Sequence, residues 1–275
     1  MTQVYNNSPL PFQGQKRNFA AIFRSEVAAL PDDTVFVDLF GGSGLLSRAA
    51  KDARPQSRVI YNDFDDFHLR IKAVPTTNAI LAELRKVFAG SPPLKRVPNE
   101  TRAQALEIIE AFDRNGFVDY ISLSSSVLFS GNYAVSLDDL KKCTFYNCLR
   151  QSDFHAAENY LNGLEIRKAD YKEIFAEFKD NPKAFFICDP PYLSTQNEAY
   201  ECYWKLPDFL DVLNCLKGTK FAFFTSDKSS LIELLEWLDR NEQIQNPFIG
   251  AKRIDFDVQI NRVARYKDIM IFKAG

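Results

Sequence analysis

Apolar positions along this chain alternate between two rhythms. From about Lys16 to Ala29 they recur at helical spacing, with Phe19, Ile22, Phe23 and Val27 on one stripe, and the stretch stops before Pro31. Short continuous apolar runs at Thr34 to Leu39 and Arg58 to Tyr61 predict strands covered on both faces, with a helix containing Leu45, Leu46 and Ala49 between them. From roughly Asp65 to Asn162 the pattern turns helical, broken by AGSPPLKRVPNE (89–100) and LSSSVLFSGNYAVS (123–136). Strand signals return near Leu164 to Lys168, Ala184 to Cys188 and Lys220 to Thr225, and the chain closes with a strand pair near Arg253 to Ile260 and Lys267 to Phe272. No internal repeat is visible.

Strands alternating with helices predict an α/β fold, doubly wound around a mostly parallel sheet, with an inserted, mainly helical subdomain. The expected division is a discontinuous domain of residues 1–64 and 163–275 interrupted by the insertion 65–162. Open sheets of this kind bind ligands outside the carboxyl ends of their strands. Three loops fall there. After the first strand comes Phe40-Gly41-Gly42-Ser43-Gly44, whose glycines let the backbone approach a ligand and whose following helix start offers amide donors. It is neither a P-loop nor a full GxGxxG fingerprint, so a nucleoside ligand without a pyrophosphate suits it better, and an ordinary tight turn is the alternative. Asp63 ends the second strand, where an acid can accept both hydroxyls of a ribose or cap the next helix. The run Ala184 to Cys188 empties into Asp189, Pro190, Pro191 and Tyr192, placing an acceptor and a stacking ring on a turn stiffened by two fixed φ angles. Such a corner can grip a planar amino group; alternatively it is a proline-rich turn with a capping Asp.

Composition narrows these readings. The 275 residues are 46% hydrophobic and 25% charged, enough for a full core, with a formal net charge of −2. No apolar run approaches a membrane span, and the N-terminus lacks a signal pattern, so a cytoplasmic protein is expected. Five cysteines without CxxC spacing and two histidines make no zinc set; no metal is expected. The charge argues against indiscriminate coating of nucleic acid, but residues 83–102 and 251–267 are each net basic by three and could contact phosphates.

Taken in order, FQGQK (12–16), DLFGGSG (38–44), YNDFD (61–65), GLEIRKADYKEIF (163–175), ICDPPYLST (187–195) and INRVARYKDIMIF (260–272) resemble the motifs of the Dam-type DNA adenine-N6 methyltransferases over nearly the whole chain. The resemblance implies a seven-stranded methyltransferase sheet with a target-recognition insertion. It implies S-adenosylmethionine as cofactor, with S-adenosylhomocysteine as product. Phe12 and Lys16 would lie over and beside the cofactor, Asp38, Phe40, Gly41, Gly42 and Gly44 would form its loop, Asp63 would bind its ribose, and Asp170 would sit near its adenine. Asp189, also beside the cofactor, would act with the Pro190 carbonyl and Tyr192 on the target base. FSGNY (129–133), with Tyr133, resembles a segment on the DNA side; Lys141, Lys142 and Arg150, expected on a helix, and Arg262 could meet phosphates. Double-stranded DNA is the expected partner, with no membrane; a cognate restriction endonuclease is a candidate partner, and the oligomeric state is open.

The expected chemistry follows from the residue types. An exocyclic aromatic amine is a poor nucleophile, and two acceptors favour its nitrogen as it becomes tetrahedral and positive. The chain departs from the family where DNA is read: Tyr133 is followed by Ala134, Val135, Ser136, Leu137, Asp138 and Asp139 rather than by a basic hairpin. No GATC preference is carried over. Amino-methyl transfer to cytosine in DNA or adenine in RNA, and an inactive DNA-binding module, stand as the rival readings; transfer to protein glutamine would be expected with Asn in place of Asp189.

Overall fold

The computed structural model describes residues 4–129, 131–191, 205–241, 245–259 and 265–275. They divide into two compact units, one of residues 1–7, 15–65 and 163–275, the other of residues 8–14 and 66–162. The segment 8–14, which includes Phe12, thus groups with the insertion rather than with the sheet.

The first unit opens with α1 (Ala20–Ala28), β1 (Val35–Asp38), α2 (Leu45–Ala53) and β2 (Val59–Asn62). The second then contributes α3 (Phe67–Lys72), α4 (Val74–Val87), α5 (Asn99–Asp113), α6 (Tyr120–Val127) and α7 (Leu137–Lys142). The first resumes with β3 (Glu165–Arg167), α8 (Tyr171–Phe178), β4 (Ala184–Cys188), α9 (Leu206–Leu216), β5 (Phe221–Ser226), α10 (Leu231–Asp239), β6 (Lys252–Gln259) and β7 (Arg265–Lys273). Among the described residues the strands form one seven-stranded sheet in the order β3-β2-β1-β4-β5-β7-β6. All neighbours are parallel except β7, which runs antiparallel to β5 and β6. The strand order reverses between β1 and β4, the kind of switch point where doubly wound sheets open a crevice.

Period-2 alternation sorts the strand residues onto two apolar faces. Phe36, Val59, Phe185, Ile187, Ala222, Phe224, Met270 and Phe272 pack with Phe19, Phe23 and Val27 at α1 and with Leu46, Ala49 and Ala50 of α2. Val37, Leu39, Phe186, Cys188, Phe223 and Ile269 pack with α8, α9 and α10. Helices on both faces explain why the strands read as unbroken apolar runs.

The insertion corrects two expectations. The serine-rich stretch expected to break the helical pattern forms most of α6: Asp119 caps it by accepting from the Ser122 amide, Ser122 Oγ donates to the same carboxylate, and Ser124 Oγ accepts from the Ala134 amide. With these partners inside the unit, Ser122 and Ser124 stay buried where polarity suggested a loop. Arg150 is not on a helix, because α7 ends at Lys142 with Cys143 extended. Its guanidinium instead lies over the Phe154 ring and donates to the Ser152 carbonyl.

Candidate active site

The loop after β1 is shaped by crowding from β2. A Cβ on Gly41 would stand 2.2 Å from the Tyr61 ring and 2.7 Å from the Asn62 carbonyl oxygen, so only glycine fits. Gly42 and Gly44 take left-handed φ angles of 49° and 71°, which cost glycine nothing. The Tyr61 hydroxyl lies 2.7 Å from the Gly42 carbonyl and 3.1 Å from Asp63 Oδ1, sharing its proton between the loop and the acid. Gly44 begins α2 without a side-chain cap, leaving the helix's first amides no side-chain acceptor.

At the strand ends, alternation collects acids on the face covered by α1 and α2. Asp38 follows Phe36, Asp63 follows Val59 and Tyr61, and Asp189 follows Ile187. Two contacts to these helices fix the direction. Ser47 of α2 donates to Asp38 Oδ2 at 2.6 Å, and Lys16, just before α1, places its Nζ 2.6 Å from Asp189 Oδ2. Lys16 is almost fully buried, whereas the Asp189 side chain keeps 19% of its surface open. Asp38 and Asp189 flank the switch point between β1 and β4.

Burial dominates the electrostatics here. It pushes the Asp38 carboxyl up to about 7, eased by the Ser47 hydrogen bond and by the Phe40 amide and worsened by the charge of Asp189. Asp38 Oδ1 is buried without a hydrogen-bond partner. Burial also raises Asp189; the Lys16 charge and hydrogen bond pull it back, while Asp268 pushes it further up. Asp268 lies opposite Ser226 across the β5–β7 pair and is itself raised by burial, with Lys16 and Lys228 opposing.

The first unit therefore brings Lys16, Asp38, Phe40, Gly41, Gly42, Gly44, Asp63, Asp170, Asp189 and Pro190 into one sheet domain, most of them at its carboxyl end. Asp170 caps α8, accepting from the Lys172 amide at 2.7 Å. Phe12 belongs to the second unit and packs edge-on against Phe67 at 5.8 Å. Tyr133, Lys141, Lys142 and Arg150 also lie there, while Tyr192 and Arg262 fall outside the described residues. Asp138 and Asp139 occupy the first turn of α7, where negative charge is favoured, and Ser136 caps that turn by accepting from the Asp139 amide. Sequence reasoning missed Ser47, Ser226 and Asp268. Ser47 was findable as a hydroxyl in the first turn after the glycine loop, but the other two need the strand register.

A mostly parallel sheet with a glycine loop after its first strand, an acid after its second and an Asp-Pro corner at the switch point defines a doubly wound α/β protein, a class that binds ligands at the carboxyl ends of its strands. The chain is 33% identical over 279 residues to a Haemophilus influenzae protein named "Putative methyltransferase", covering 98% of this chain and 93% of that one, and it belongs to that methyltransferase family. No protein-family model matches the chain. Among solved structures, precorrin-6y C5,15-methyltransferase from Geobacter metallireducens aligns at 14% identity with a TM-score of 0.39, covering 98% of this chain and 97% of that one. An rRNA methylase from Streptococcus thermophilus aligns at 12% identity with a TM-score of 0.35, covering 96% and 100%.

As a methyltransferase the protein takes its methyl group from S-adenosylmethionine. The residues at the switch point fit that donor. The unpartnered Asp38 Oδ1 is an acceptor that a cationic ligand group would satisfy, and the Gly41–Gly44 backbone leaves no side chain between the loop and a ligand. Among the described residues, no helix is long and apolar enough to cross a membrane.

Proposed function

We propose that the protein transfers a methyl group from S-adenosylmethionine to the exocyclic N6 amino group of adenine in DNA. The observation that carries the reading is the Asp189 corner: a carboxylate at the end of β4, followed by Pro190, that holds a cationic nitrogen 2.6 Å from Oδ2. An amine gains that same positive charge as it takes a methyl group. The order of the six motifs supports adenine in DNA as the target.

When bound, S-adenosylmethionine supplies a methyl on a sulfonium, so the carbon–sulfur bond breaks as the nitrogen–carbon bond forms. The protein's part is positional and electrostatic. Asp189 and the Pro190 carbonyl accept the two amine hydrogens, turning the nitrogen lone pair toward the methyl. As the nitrogen becomes positive, the same acceptors stabilise it, and the product ammonium then loses one proton. A base inside a duplex must leave its stack to reach this corner, and in this reading Tyr192 offers the ring on which it settles. Asp63 and the Gly41–Gly44 loop hold the cofactor.

The test is transfer of isotope-labelled methyl from S-adenosylmethionine to unmethylated duplex DNA, with RNA in parallel, by wild type and by Asp189→Ala. Labelled DNA from the wild type and none from the variant is expected. An Asp189→Ala protein with near-normal turnover, or label entering RNA alone, would overturn the reading.

A further inference from the structure

The second unit contains a cationic cavity that the methyl-transfer machinery does not use. Its floor is a short ribbon: the Leu94 amide donates to the Asn147 carbonyl at 2.8 Å, the Asn147 amide to Lys95 at 2.9 Å and the Val97 amide to Phe145 at 3.0 Å, with Arg96 opposite Tyr146. Val97 and Phe145 are buried, anchoring the ribbon. Between it, the start of α5 and the end of α7 lies a cavity of about 190 Å³, lined among others by Arg96, Asn99, Arg102, Lys142 and Thr144.

Three cations line this space and no carboxylate does. Arg102 is fixed in the wall by neutral partners. Its Nε donates to the Cys143 carbonyl at 2.9 Å, its Nη2 donates to the Lys141 carbonyl, and its guanidinium lies 5.4 Å from the Phe145 ring centre. Carbonyls and a ring hold that charge in place without neutralising it. Lys142 meets Asp139 at 3.3 Å, but its side chain is 76% exposed, and such a surface pair yields easily. Arg96 makes no hydrogen bond or ion pair among the described residues. Asn99 and Thr144 add side-chain amide and hydroxyl groups. Like charges gathered around a concavity focus positive potential into it.

We infer that this cavity is a phosphate-binding site for a nucleic-acid backbone, in which Arg96 and Lys142 take a phosphodiester against the wall fixed by Arg102. The inference rests on the reading of nucleic acid as the substrate and supplies a part that reading lacks. It gives the insertion a positioning contact in place of the basic hairpin missing after Tyr133. Such a contact sets register on the strand and adds affinity without reading sequence.

The test is binding of a short labelled DNA duplex to the full chain between about 50 and 200 mM salt, the range in which phosphate contacts are lost steeply. For Arg96→Gln with Lys142→Gln, affinity near 0.1 M salt should fall roughly tenfold per lost contact, and the log–log salt slope should become shallower by about 0.9 for each. Lys179→Gln, removing an exposed cation of the first unit, should change neither. Unchanged S-adenosylmethionine affinity in the double variant reports that it is folded. Equal affinity and slope for wild type and double variant would overturn the inference, as would failure of the wild type to bind DNA. Calorimetric binding of inorganic phosphate that the double variant loses, with an unaltered DNA slope, would assign the cavity to a free anion instead. Wild type that shows the expected slope change but methylates no DNA would leave the cavity standing and strike the catalytic reading.

Discussion

The two faces of the sheet share one apolar body and part company at its carboxyl edge. On the face covered by α8 to α10 the positions toward this edge are Leu39, Cys188 and Ile269. On the face covered by α1 and α2 the neighbouring positions are Asp38, Asp189 and Asp268. One step along each strand separates packing from chemistry, because successive side chains point to opposite faces. A one-residue register slip would bury the acids under α9 and expose the aliphatics to the ligand crevice, so strand register and the site are specified together. The acidic face also carries the desolvated carboxyls. Asp38 is buried with Oδ1 lacking a hydrogen-bond partner, which a cationic ligand group would supply.

Adjacent residues offer the largest contrast. Asp189→Ala should lower single-turnover methyl transfer roughly a thousandfold, as expected for removing a preorganised transition-state partner. Its cofactor affinity, measured by calorimetry, should partly survive. Gly41→Ala attacks the same face through shape. Its Cβ meets the Tyr61 ring and the Asn62 backbone, and a lower melting temperature corresponding to about 1–3 kcal/mol is expected, together with weaker cofactor binding. A fully stable Gly41→Ala protein would mean that Tyr61 yields more readily than this packing implies.

Asp38 gives a prediction with a defined sign. Its carboxyl titrates near 7 when folded against an ordinary value of 3.8, so the folded protein binds the extra proton between those values. The contribution of Asp38 to apo stability should therefore be fully present below about pH 4 and be lost as pH rises toward 7, at up to about 1.4 kcal/mol per pH unit. Cofactor affinity should move the other way, rising through pH 7 as the carboxylate forms. Asp38→Asn should flatten the contribution to stability and weaken cofactor binding about tenfold or more, the loss of a charge-assisted contact. Thermal melts and calorimetry across pH check both halves.

Smaller effects refine the comparison. Lys16→Met removes the charge that holds Asp189 down against burial and Asp268, so the acidic limb of kcat/KM should move to higher pH. An unshifted profile would reduce Lys16 to packing. On the opposite face Cys188→Ala should cost only about 1 kcal/mol of stability and leave methyl transfer intact.

Much of this was legible in the chain. Val35 to Asp38 and Ala184 to Cys188 are apolar enough to be read as two-sided strands, and each runs directly into a loop that carries proposed site residues. The glycine at position 41 was visible, though its reason, the Tyr61 ring, was not. What remained hidden depends on contacts between residues remote in sequence. The Lys16–Asp189 pair joins the start of one helix to the end of a strand far along the chain. Ser226 faces Asp268 only once β7 turns antiparallel. In the insertion, α6 was obscured because its buried serines look like a loop until Asp119 and Ala134 are seen to satisfy them.

Methylation of an exocyclic adenine amine in DNA at the Asp189 corner is the proposed reaction. Its most direct test is mass spectrometry of nucleosides digested from unmethylated duplex DNA after incubation with the purified protein and S-adenosylmethionine. N6-methyldeoxyadenosine is the expected product; methylcytosine in its place, or unmodified DNA from a protein that binds the cofactor, would overturn the proposed reaction.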